Sequence, residues 1–144
     1  MNEAKFREGV MPRAQLSILA SQMAVDKTTQ KNAKEFAGFE LEEAIAVVNV
    51  LKDAGTPTQE LSADGKALLE KLNTATGNEF DRLYMLAQLT NHEFLRDLAK
   101  EYLSTAADKS SAAETETRHL ATIALFAFNE HVALSKRIYG EVTN

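Results

Sequence analysis

The sequence has no cysteine, which removes disulfides, thiolate zinc sites, iron–sulfur clusters and cysteine nucleophiles, and leaves oxidising and reducing compartments equally open. Only 2 prolines and 6 glycines occur among 144 residues, so few points interrupt a helical chain. Long apolar runs are missing too. The longest uncharged stretch, Ala14 to Val25, includes several polar residues and falls short of the roughly twenty apolar residues that a transmembrane helix needs. The opening Met1-Asn2-Glu3-Ala4-Lys5-Phe6 lacks the apolar stretch of a secretory signal. The 16 basic residues are scattered, and the formal net charge is −5, so no basic face for DNA or RNA is formed. Gly-rich phosphate loops, GxSxG elbows, HExxH motifs and paired CxxC motifs are all absent, which excludes the catalytic classes that depend on them.

What is present points to helices. Apolar residues make up 44% and charged residues 26% of the chain, the balance of a globular protein, and the length suits a single domain over residues 1–144 with one core. Ala, Leu, Glu, Lys and Gln dominate, and strand signals are nearly missing. Leu16, Leu19, Ala20 and Met23 predict a first helix with Pro12 in its first turn, ending near Val25. After a break at Asp26–Thr29, a second helix is expected from about Thr29 to Ala54, stopped by Gly55-Thr56-Pro57. A short helix is expected over Ala63–Thr74. A long one follows, capped by Asn78 with Asp81 in its first turn, and reaches about Leu103 with Phe80, Leu83, Tyr84, Ala87, Phe94, Leu95, Leu98 and Tyr102 inward. Ser111 with Glu114 forms a capping-box pattern opening a last helix that runs to Gly140, with Leu120, Ala124, Ala127, Leu134 and Ile138 on one face. Residues Ser104–Ser110 read as an ordinary interhelical loop. The expected fold is all-α: an antiparallel, up-and-down four-helix bundle of ferritin-like type with one additional short helix.

The residues able to carry chemistry are histidines and carboxylates. Bundles that bind two irons or manganeses use inward glutamates and two Glu-x-x-His pairs. This chain has one such pair, Glu116 with His119; the residues three before His92 and His131 are Leu89 and Phe128. Glu116 and His119 offer either two ligands or a simple side-chain pair one turn apart. Across the Ser104–Ser110 turn, His92 and His119 fall at similar heights and meet if both face inward. His92 lies at the edge of the predicted apolar face, beside a better-buried Asn91, and reads either as a solvated or hydrogen-bonded flank or as a ligand. Asp81 lies too far along the helix to share an ion with it. Glu40 and His131 both fall on inward faces, as a buried structural pair or as part of a metal site. Phe126, Phe128, Met11, Met23 and Met85 read as core or cap packing, and Glu42-Glu43 as a solvated acidic face.

From Arg13 to about Ala121 the chain resembles the bacterial domain of unknown function 4142 family. The resemblance rests on Phe80-Asp81-Arg82-Leu83-Tyr84-Met85 with His92 downstream, on His119-Leu120 and on Phe36-Ala37. It implies a ferritin-like helical fold and export to the periplasm. Where the family commonly has Asp-His after Phe-Ala, this chain has Glu43 and Ala44; Asn91 stands in place of an Asp, and Arg13 and Gln15 replace glutamates. Two functions are expected from residues and resemblance together. One is an exported, non-enzymatic bundle that meets a protein partner through its surface, in the envelope or in stress. The other is a metal-binding or metal-dependent redox bundle drawing a transition metal to some subset of Glu40, His92, Glu116, His119 and His131.

Overall fold

The computed structural model describes residues 1–143 and contains five helices: α1 (Glu3–Lys27), α2 (Lys31–Asp53), α3 (Ala63–Thr74), α4 (Gly77–Leu103) and α5 (Ala112–Thr143). No strand occurs among the described residues. Local chemistry sets the ends. Asn2, Gln30 and Ser62 accept hydrogen bonds from the amides of Lys5, Ala33 and Gly65 and so satisfy one open donor at each N-terminus. The α2 stop is a Schellman turn: Gly55 adopts φ +85, its N–H meets the Lys52 carbonyl, and the Thr56 N–H meets Leu51.

Three boundaries differ from the sequence reading. Pro12 sits well inside α1, so the Glu8 carbonyl has no helical N–H to receive; the Gln59 side chain donates to it instead, at 2.9 Å. The α4 N-cap is Thr76 rather than Asn78. Gly140 lies inside α5, which continues to Thr143.

The pairs α1·α2 and α4·α5 pack most extensively. Contacts such as Ser17 with Gln88 and Ser21 with Tyr84 place α1 antiparallel to α4. The middle connection is not the short loop of a simple up-and-down bundle. Thr56 meets Arg7, Gln59 meets Gln15, and the Leu72 carbonyl meets Lys27, so residues 56–72 run back along the length of α1. This single long crossover is the connectivity that ferritin-like bundles use. It lays α3 against α1 and α4 and leaves the α2–α5 side uncovered among the described residues.

The core is two apolar clusters. One gathers Phe36, Leu72, Phe80, Tyr84, Met85 and Ile138; the other gathers Phe6, Met11, Leu51, Leu95, Tyr102 and Phe128. Each large apolar side chain buried there contributes about 2 kcal/mol. Between them, at mid-height, lies a buried polar layer of Ser17, Glu40, Gln88, Asn91, His92 and His131. Burying such groups costs free energy unless they are paired, so this layer is where the fold gives up stability.

Candidate metal centre

Three helices build the site. Glu40 and Glu43 lie one turn apart on α2, His92 comes from α4 and His131 from α5. One donor atom from each of the four lies within 4.8 Å of every other. Glu40 Oε2 is 3.1 Å from His92 Nε2 and 3.5 Å from His131 Nε2, and Glu43 Oε2 is 3.2 Å from His131 Nε2. Donors around a four-coordinate ion with bonds of about 2.1 Å sit about 3.4 Å apart.

The hydrogen bonds fix which nitrogens face inward. His92 Nδ1 is 2.8 Å from the Gln88 carbonyl, and His131 Nδ1 is 2.8 Å from the Ala127 carbonyl. A carbonyl only accepts, so each Nδ1 carries the proton, and a neutral ring then turns a bare Nε2 lone pair toward the carboxylates. Metal-binding imidazoles are oriented in this way. Glu40 Oε1 accepts from Ser17 Oγ at 2.7 Å, and Ser17 in turn accepts from Gln88 Nε2 at 3.1 Å. Glu40 Oε2 is buried, and the groups at hydrogen-bond distance from it are the two Nε2 atoms, so with both rings neutral it accepts no hydrogen bond. Phe36 and Phe128 close the ring edges.

Charge sharpens the picture. Burial pushes Glu40 up, but the charges of His92 and His131 and the Ser17 hydrogen bond outweigh it, and Glu40 ends below its ordinary value. Burial and the Glu40 charge hold Glu43 above its ordinary value, against the pull of the histidines. Burial lowers His92, and Glu40 more than reverses this, so His92 lies above its ordinary value. These are signs of two carboxylates and two imidazoles sharing too little positive charge. A divalent ion held by two carboxylates and two neutral imidazoles leaves no net charge buried, and the mixed nitrogen and oxygen set suits first-row transition ions better than Mg²⁺ or Ca²⁺.

Of the residues singled out from sequence, Glu40, His92 and His131 converge. Glu116 and His119 do not: both are exposed on α5. Thr117 and Ala121 take the inward positions there, and at about 100° per residue His119 points nearly opposite to them. His92 is not a flank but is 1% exposed. Glu43, read as a solvated face, is the member of the cluster that sequence reasoning missed. The available signal was its position three residues after inward Glu40, which places both carboxylates on adjoining parts of one face. Phe126 is also no core residue, at 73% exposed.

The chain belongs to the family described as Domain of unknown function (DUF4142), which it matches over residues 1–137. No curated protein and no solved structure gives a match.

Proposed function

For this member of the family, we propose that the bundle binds one divalent first-row transition ion through Glu40, Glu43, His92 and His131. The observation that carries this reading is the pair of imidazoles whose Nδ1 protons are committed to backbone carbonyls while both Nε2 atoms face one buried carboxylate oxygen that no other donor reaches. The two Nε2 atoms and Glu40 Oε2 are satisfied together only by a cation or an added proton. The donor set lacks the second Glu-x-x-His pair of a two-metal bundle, so one ion per chain is the expected stoichiometry. In this reading Ser17 orients Glu40, and Gln88 supports both Ser17 and His92. A periplasmic setting, implied by the resemblance, suits capture of an ion outside the cytoplasm and is checked by fractionation.

The test is to strip the protein with chelator, load zinc, manganese, cobalt and ferrous iron separately, and measure ion per chain after desalting. One ion per wild-type chain, lost in a Glu40→Gln/His131→Ala double variant, supports the reading. A wild type that retains none of the four ions refutes it.

A second, compatible reading is contact with a protein partner. Ile123 and Phe126, one turn apart on α5, are each 73% exposed, which is unusual for large apolar side chains outside an interface. A change in sedimentation or in cross-linked products on Phe126→Glu, with unchanged helicity, checks this role.

A further inference from the structure

Resting on the metal reading, we infer that the uncovered crevice between α2 and α5 is the loading path of the centre, and that the ion is exchangeable cargo rather than a locked structural element. The four ligands are not equally enclosed. The His92 and Glu40 side chains are 1% and 4% exposed, whereas those of His131 and Glu43 are 9% and 25% exposed. The more open pair lines a crevice of about 570 Å³. On the inner side, Glu40, Glu43 and His92 border a recess of about 10 Å³, no larger than one water needs. A hydrated ion therefore has room to approach from the α2–α5 side and not from the other.

The crevice walls carry the charge that such a ligand requires. Glu35, Glu42 and Glu130 line it beside Glu43, against the single guanidinium of Arg137, which itself lies 3.9 Å from Glu141. Carboxylates along a cleft raise the local concentration of cations and speed their capture. Behind His131 lies the buried Glu40 Oε2, 3.5 Å from His131 Nε2 and 3.1 Å from His92 Nε2, with no other donor on it. The order of ligation follows from the exposures: Glu43 and His131 take the ion first, and Glu40 and His92 complete the set. Neither α3 nor its connections cover this side, so withdrawal by the same path needs no unfolding of the bundle.

The experiment is rapid mixing of chelator-stripped protein with zinc, followed by withdrawal of bound zinc with excess EDTA. Wild type is compared with Glu35→Gln/Glu42→Gln/Glu130→Gln, none of which is a ligand, with circular dichroism confirming the fold. The triple variant is expected to bind zinc about ten-fold more slowly at low salt, with the difference closing at high salt and the release rate unchanged within two-fold. Wild-type zinc is expected to leave within minutes. Equal association rates, or zinc that resists EDTA for hours, overturn the inference while leaving the metal site in place. A wild type that binds no zinc at equilibrium overturns the metal reading itself and this inference with it.

Discussion

His92 and His131 stack with ring centroids 4.9 Å apart and planes 14° from parallel, each with its Nδ1 committed to the carbonyl one turn earlier. Both Nε2 atoms therefore converge on Glu40 Oε2, at 3.1 and 3.5 Å. In the proposed centre, the stack aims both rings at the position one ion would take.

Ligand substitutions separate the converging residues from the exposed pair. Glu40→Gln and His131→Ala are each expected to weaken zinc binding by at least ten-fold, since each removes a donor from a four-donor set. Glu116→Ala and His119→Ala are expected to leave affinity within two-fold, because both side chains are exposed on α5. Competition against a colorimetric zinc chelator measures all four, and a loss in the second pair equal to that in the first would remove the site from mid-bundle.

In the proposed centre protons and metal compete for the same imidazoles, and the signs of their effects on stability are opposite. In the ion-free protein, burial depresses His92 but Glu40 raises it above its ordinary value. Its contribution to stability is then fully present below the unfolded value of about 6.5 and fades as pH rises through the higher folded value. Glu40 is the partner case: burial raises it, but His92, His131 and Ser17 bring it below its ordinary value, so its contribution is lost as pH falls through that lower value. Zinc needs neutral Nε2 atoms, so zinc stabilisation grows as pH rises. Melting with EDTA and with zinc, from about pH 6 to about pH 8, is expected to show a widening gap in Tm. A gap independent of pH would exclude imidazole ligation.

The bundle was legible because helix signals agreed with one another: apolar periodicity, the Gly55-Thr56-Pro57 stop and the Ser111 cap all mark real boundaries. The inward faces of Glu40 and His131 were legible for the same reason. The facing of α4 was not, because Phe94 carries the apolar period yet is 42% exposed, with the Arg13 guanidinium 3.9 Å above its ring. Drawing the stripe through Phe94 and Ala87 turned His92 toward the edge. In α1 the leucines misled similarly. Ala14, Ser17, Ala20, Ser21 and Ala24 are the buried stripe, because small residues let neighbouring helices approach, while Leu16 reaches toward Gly65 of α3. The long crossover was invisible because its direction depends on tertiary contacts from Gln59 and Lys27, which have no periodic signature.

Asp81, excluded as a partner of His92, has a structural task with its own measurable cost. It is 1% exposed, and its carboxylate accepts from the Thr29 N–H at 2.9 Å, the Thr29 hydroxyl at 2.7 Å and the Gln30 N–H at 2.8 Å. It thereby ties the α1–α2 turn to α4 and caps α2 from a distant part of the chain. Asp81→Ala removes three hydrogen bonds from these part-buried donors and is expected to cost about 2 kcal/mol in urea unfolding. Asp81→Asn retains one acceptor and costs less. Metal stoichiometry is expected to survive both, because Asp81 lies about three turns from His92.

Pro12 and Gln59 form a compensating pair that a double-mutant cycle can isolate. The proline removes the N–H that the Glu8 carbonyl would receive inside α1, and Gln59 Nε2 replaces it at 2.9 Å. Gln59→Ala alone is expected to destabilise by about 1 kcal/mol, the net value of one hydrogen bond. Pro12→Ala is expected to stabilise by about 1–3 kcal/mol, since it restores both the N–H and helix propensity. With the N–H restored, the Gln59 side chain competes for an acceptor already served, so Gln59→Ala in the Pro12→Ala background should cost clearly less than in the wild type. Equal costs in the two backgrounds would mean that the Gln59 side chain contributes independently of Pro12, since its backbone contacts with Gln15 persist in the alanine variant.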